Sequence, residues 1–174
     1  MRASVVLLLS FLFTACATPP VRPEGALRKV VVVASSRVDA LPTATYREDM
    51  LGEGNPRTVI VGQTQAALSD RGFDVVGTRI SQAPSPSIQE VVSFIEENQA
   101  EAAVVIMLSW VDVSALQALG RAEVVMDTAI IAPNGALQWR NETRSVSTLG
   151  LYQSQTDFRS YLRKAIIEAV NAVP

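Results

Sequence analysis

The chain of 174 residues has no histidine and a single cysteine, Cys16. One cysteine cannot close an intrachain disulfide, so the fold is held by other means. Zinc sites of the usual ligand types are excluded, and so are Ser–His and Cys–His catalytic pairs. The formal charge is only −2, which gives no electrostatic pull toward nucleic acid or acidic lipid. Phosphate-cradling glycine motifs are missing too. "VASSRVD" follows the first buried run where GxGxxG would stand, and GxxxxGK[ST] is absent. What remains is a globular composition, 48% hydrophobic and 18% charged, in a length that suits one domain.

The N-terminus reads "MRASVVLLLSFLFTAC". Arg2 is a positive start, Val5 to Phe13 form an apolar run, and Thr14 and Ala15 are small residues before Cys16. This is the layout of a secretory signal peptide. The apolar run is too short to span a membrane, which takes about 20 apolar residues. After Cys16, "ATPPVRPEGA" holds three prolines and a glycine. Such a stretch resists helix and favours extended polyproline II, reaching about 31 Å over ten residues.

"FTAC", residues 13 to 16, resembles the lipobox of bacterial lipoproteins. In that family the cysteine becomes the first residue after cleavage. A diacylglycerol is attached to its thiol and a third acyl chain to the new amino group. A soft, nucleophilic sulfur suits the thioether chemistry. Phe13 departs from the family, which usually has leucine there. An ordinary signal peptide with a free cysteine, or an N-terminal anchor helix, are the plainer alternatives. Ala17 follows the cysteine, whereas an aspartate there resembles the inner-membrane retention signal of enterobacterial lipoproteins. The resemblance therefore implies a lipid anchor in the outer membrane with the domain facing the periplasm. The expected organisation is a cleaved signal peptide over 1–15, a lipidated cysteine and tether over 16–27, and one globular domain over 28–174.

The rest of the chain reads as alternating elements. Val30 to Val33 are a continuous β-branched run, the pattern of a strand buried on both faces. The polar stretch from Ser35 to Asn55 carries no clear element; it is long for a connection, as functional loops often are. A helix is expected from Asn55 as cap and Pro56 as first residue, with Ile60, Thr64, Ala67 and Leu68 on one face. Gly72 is placed to end it in the left-handed conformation, and Phe73 to Val76 to return as a strand. Ser87 and Glu90 have capping-box spacing for a second helix, with Ile88, Val91, Val92 and Ile95 as its apolar face. Ala102 to Val111 read as a third buried strand. "RAEVVMDTAII" and "ALQWRNETRSV" are two strand-like runs joined at Asn134-Gly135, a two-residue hairpin signal. Leu137, Trp139 and Asn141 alternate with Gln138, Arg140 and Glu142, as in a ribbon with one wet face. The last helix carries an apolar stripe of Phe158, Tyr161, Leu162, Ala165, Ile166, Ala169, Val170 and Val173. Arg159, Arg163, Lys164 and Glu168 are opposite. The fold class is α/β (mixed α+β), in two or three layers, in the order β-α-β-α-β-β-β-α. It has a mixed sheet, a C-terminal antiparallel hairpin and a docking C-terminal helix.

That order, with a strand ending in "LSWVDV" and a hairpin turn "PNGALQW", resembles the curli-secretion (CsgG-like) lipoprotein superfamily. The TolB amino-terminal domain and the LpoB-type activators of peptidoglycan synthases are built similarly. The matching pieces are "GFDVV", "AAVVIML", and Gly135, Leu137 and Trp139 of the hairpin. Related domains serve as channel subunits, enzyme activators and assembly factors, so the resemblance carries fold rather than function. No long alternating hairpins suggest insertion as a β-barrel, and no long N-terminal linker suggests an activator that crosses the periplasm.

Residues able to carry chemistry are few. "GEGNP", Gly52 to Pro56, is a weak anion-loop candidate before a helix, with a flexible loop plus cap as the plainer reading. Asp112 ends the third strand beside Trp110, where ligands bind in open α/β sheets. It is placed to act as a general base, or to form a turn ahead of Ser114; the turn is preferred. Glu123 and Asp127 fall on one face of a strand, either as metal ligands or, more simply, as a solvated face. Trp110 and Trp139 are interface candidates or hairpin packing. "YREDM", Tyr46 to Met50, is a charged piece that contacts a partner or is merely soluble. No residue qualifies as catalytic, and no cofactor or metal is expected. The expected function is a non-enzymatic, lipid-anchored envelope component. It would be an accessory or assembly part of a secretion, export or cell-wall machine, with an envelope protein or itself as partner. The alternative is a periplasmic small-ligand-binding lipoprotein, with a pocket near Ala34, Gly77 and Asp112. A hydrolase using Asp112 with Glu123 is a third reading.

Overall fold

The structure, a computed structural model, describes residues 26–38, 56–112, 114–115, 119, 121–148 and 158–174. Its elements are β1 (Lys29–Ser36), α1 (Pro56–Asp70), β2 (Asp74–Ile80), α2 (Ile88–Glu97), β3 (Ala102–Asp112), β4 (Arg121–Ile131), β5 (Leu137–Thr148) and α3 (Phe158–Asn171). The order is β-α-β-α-β-β-β-α, as the sequence predicts. One five-stranded sheet runs β2-β1-β3-β4-β5. β1 pairs in parallel with β2 and β3, and β3-β4-β5 form an antiparallel meander.

The fully buried run of β1 follows from its central place. Val30, Val32 and Ala34 point into one apolar cluster, and Val31 and Val33 into another on the opposite face. The chain steps from β1 to β2 in one direction and from β2 past β1 to β3 in the other. A constant crossover hand then requires helices on opposite faces. That is the arrangement: residues of α1 and α3 join the larger cluster, and those of α2 the smaller. The domain is thus three-layered.

Local chemistry sets the element ends. Gly72 has φ 81° and turns the chain from α1 into β2. Arg71 lies over the Phe73 ring and donates to the carbonyls of Val170 and Val173, tying the end of α1 to the end of α3. A cation suits such a helix C-terminus, where carbonyls lack intrahelical donors. Ser87 caps α2 by accepting from the Glu90 amide at 3.1 Å. Only half of the expected box forms, because the Glu90 carboxylate accepts from Ser81 Oγ at 3.2 Å instead. Ile88, expected on the buried face of α2, is 52% exposed. Phe94 takes its place beside Val91 and Ile95.

The hairpin corrects a second expectation. The Gly135 amide donates to the Ala132 carbonyl at 2.9 Å, so Pro133 and Asn134 are the central residues of the turn. Only Gly135, φ 79°, is left-handed there. This is a type I turn followed by a glycine bulge, matching the register shift between Ile130 and Ile131. Proline at position 133 favours that solution over a two-residue turn, since its φ fits the first central site of a type I turn.

Candidate functional site

The two faces of the sheet are covered unequally. α1 and α3 close one face from β1 to β5. α2 covers only the part around Val31, Val33, Ala103 and Ile131. The rest of that second face, across β3, β4 and β5, carries no helix among the described residues. It displays Met107, Ser109 and Trp110 of β3, Glu123, Val125 and Asp127 of β4, and Arg140, Glu142, Arg144 and Val146 of β5.

Register explains the chemistry of this face. Asp127 lies directly opposite Glu142, a like-charge pairing that is unfavourable by itself. Arg140 and Arg144 flank Glu142 on the same strand face and reach diagonally to the acids of β4. Arg140 Nη2 is 3.2 Å from Asp127 Oδ1, and Arg144 Nε donates to Glu123 Oε1. Ser109 Oγ donates to the other Asp127 oxygen at 2.5 Å. Its position follows from a bulge, the register shift between Leu108 and Trp110. The hydrogen bond to Glu123, then its charge, raises the Arg144 pKa further above its ordinary value. Both acids are 8% exposed, whereas the arginine side chains are 60% and 65% exposed. Glu123 and Asp127 do share a face, but it is not the solvated face expected; the arginines roof them. Among the described residues no group of three His, Cys, Asp or Glu side chains is placed to hold a metal ion.

Trp110 is on this face and 45% exposed, with Val146 equally so. Trp139 lies on the opposite face, half-buried against the larger core, so the two tryptophans are not brought together. Asp112 Oδ1 accepts from the Ser114 amide at 2.8 Å, the turn geometry expected of it. It also pairs across the strands with Glu123, and the two border a polar depression with Ser114, Ala115 and Arg121.

Among the described residues, Ala34, Gly77 and Asp112 are not brought together into one pocket. Ala34 is fully buried between β2 and β3. Gly77 is mid-strand, opposite Val31, and a Cβ there would lie 2.6 Å from Asn98 Oδ1. That glycine serves packing under the end of α2, not a ligand. Cys16, Tyr46 to Met50, and Gly52 to Asn55 lie outside the described residues.

Sequence reading missed Ser109, Arg140 and Arg144 as partners of the buried acids. The signal was the charge alternation on β5, which becomes readable only once the hairpin register is known. It also missed a groove beside the start of α2, because its lining comes from five separate segments of the chain.

No protein-family model matches the chain, and no curated protein sequence matches it. Similar solved structures do exist. The PelC dodecamer from Paraburkholderia phytofirmans matches at 13% identity and TM-score 0.43, over 85% of this chain and 90% of that one. The LpoB C-terminal domain from Salmonella enterica matches at 12% identity and TM-score 0.42, over 72% and 87%. The hypothetical protein CT253 from Chlamydia trachomatis matches at 9% identity and TM-score 0.51, over 83% of this chain and 94% of that one. The likeness to CT253 is a likeness of fold, spanning nearly the whole of that chain.

Proposed function

We propose that this chain is a non-enzymatic, lipid-anchored lipoprotein of the cell envelope. Cys16 carries the lipid in the outer membrane, and the α/β domain faces the periplasm. The domain serves as an accessory or assembly component of a secretion, export or cell-wall machine, docking an envelope protein or a second copy of itself. The observation that carries this reading is the sheet face that α2 leaves uncovered. It combines an exposed tryptophan, exposed valine and two arginines whose acids are already neutralised. Tryptophan and arginine are the residue types enriched in binding hot spots, and apolar surface without an intramolecular cover marks interaction sites. Such a face offers shape and apolar area, with little net charge to desolvate.

The anchor supports the same reading. The lipobox-like "FTAC" and the proline-rich stretch after it suit a domain held off a lipid surface. A single acyl chain gives only marginal membrane binding, so the triacylated cysteine of bacterial lipoproteins is a strong anchor by comparison. The test has two arms. Mass spectrometry of the mature protein is expected to show a chain starting at Cys16 with added acyl mass; an unmodified cysteine, or cleavage elsewhere, removes the anchor. Crosslinking in native membranes through a photoreactive residue at position 110 is expected to trap a discrete product. A solitary, uncrosslinked monomer would sink the docking role.

A further inference from the structure

On the uncovered face, a groove of about 250 Å³ opens between the sheet, the first turn of α2 and the hairpin. Val105, Met107 and Ala129 form an apolar floor. Ile88 and Leu137 border it and are 52% and 58% exposed. Exposed aliphatic side chains at the rim of a concave surface are positioned to cover something apolar laid in it.

Among the described residues, three ionisable side chains line the groove: Arg37, Asp127 and Arg140. Asp127 is fully engaged, accepting from Ser109 on one oxygen and from Arg140 on the other. Arg140 donates through Nη2 to Asp127, and its remaining donors face outward on a side chain that is 60% exposed. Arg37 is exposed, and its guanidinium has no acid partner among the described residues. Among the described residues that line the groove, two positive charges against one negative leave a single positive charge unanswered.

We infer that this groove binds a small monocarboxylate with an aliphatic tail. The carboxylate is taken by Arg37 and the free edge of Arg140; the tail lies on Val105, Met107 and Ala129. One unanswered positive charge calls for one negative charge, and guanidinium donors match carboxylate geometry. The apolar floor disfavours free inorganic anions, which would desolvate without gain. A volume of 250 Å³ holds about eight water-sized groups at ~30 Å³ apiece, the size of a medium-chain acid. This site needs neither the anchor nor the docking partner proposed above, so it stands or falls separately.

The chain supplies its own reporter pair. Met107 is in the groove floor, whereas Met126 is fully buried in the core on the other face. Methyl-labelled methionine in the full chain, in buffer without lipid, is titrated with butanoate, hexanoate and octanoate and followed by NMR. The Met107 signal is identified by its loss in Met107→Leu. A saturable shift at Met107 with Met126 unmoved is expected, the affinity rising about fourfold per added methylene. Hexanol and hexylammonium are expected to bind at least about tenfold more weakly than hexanoate, and Arg37→Gln to weaken hexanoate by about tenfold. Equal binding of hexanol and hexanoate, an unchanged affinity in Arg37→Gln, or parallel non-saturating shifts of both methyls would overturn the inference.

Discussion

The face of the sheet under α1 and α3 is apolar across β1 and most of β3 and β4, with Val104, Ile106, Leu108, Val124 and Met126 fully or almost fully buried, and turns polar at Thr128, Ser145 and Ser147, which are buried too. The face under α2 is apolar only where the helix reaches it. Beyond that reach, β3, β4 and β5 change to Ser109, Trp110, Glu123, Asp127, Arg140 and Arg144. β3 and β4 therefore carry two different codes on alternate residues. One code builds stability, because aliphatic side chains are removed from water and close-packed. The other keeps a sheet surface presentable without a helix, burying acids beneath arginine stems that cover the strands with their methylenes.

That contrast predicts very different responses to mutation. Ile166→Ala, in α3 on the closed face, should cost about 2–5 kcal/mol in urea unfolding, through lost burial plus a cavity. Its neighbour Ile167 points outward, and Ile167→Ala should stay within about 0.5 kcal/mol. Comparable losses at both positions would dissolve the distinction between the faces. Asp127→Ala, on the uncovered face, is expected to cost less, about 1–2 kcal/mol, because Ser109 loses its acceptor while the exposed Arg140 is simply rehydrated. A loss above 4 kcal/mol in the same urea assay would mean that this face is core. Trp110→Ser should change stability to urea little, by under about 1 kcal/mol, yet lower the yield of product crosslinked in membranes from a photoreactive residue at position 146 on the same face. Unaltered crosslinking would return Trp110 to mere hairpin packing.

The smallest effect lies off both faces. Glu101 accepts from the amides of Arg28 at 2.8 Å and Lys29 at 3.3 Å, fastening the start of β1 to the start of β3. Those hydrogen bonds, from Arg28 first, hold its carboxyl below the ordinary carboxylate range. The unfolded state then binds a proton more readily than the folded one, so acid weakens this contribution. Wild type should exceed Glu101→Gln slightly at neutral pH, and the gap should close as pH falls through the folded value. A gap that widens in acid would reverse the assignment. The group is exposed, so solvent screening keeps the difference small.

Much of this molecule is written locally. Val30 to Val33 read as a doubly buried strand because four β-branched residues in succession leave no wet side, and β1 is indeed the central parallel strand. The stripe from Tyr161 to Val173 read as a docking helix because its apolar residues recur at helical spacing. Gly72 read as a helix stop because only a left-handed residue makes that turn, and it is left-handed. The misreadings share one cause. The exposure of Ile88, the diversion of Glu90 to Ser81 and the packing of Gly77 under Asn98 each depend on a neighbour distant in sequence.

The candidate site belongs mostly to that second class. Sequence alone placed Glu123 and Asp127 on one face, because strand periodicity is a local property. It also placed Asp112 in a turn, because an aspartate two residues before an amide satisfies it locally. What only the tertiary structure decided is where α2 stops. A helix of ten residues covers part of a five-stranded face, and among the described residues no other helix covers the remainder, which answers its surroundings with its own side chains. The diagonal arginine pairs, the exposed Trp110 and the groove between Arg37 and Arg140 are consequences of that uncovered area. None follows from periodicity or motif, because each joins residues that meet only after the sheet has set its register.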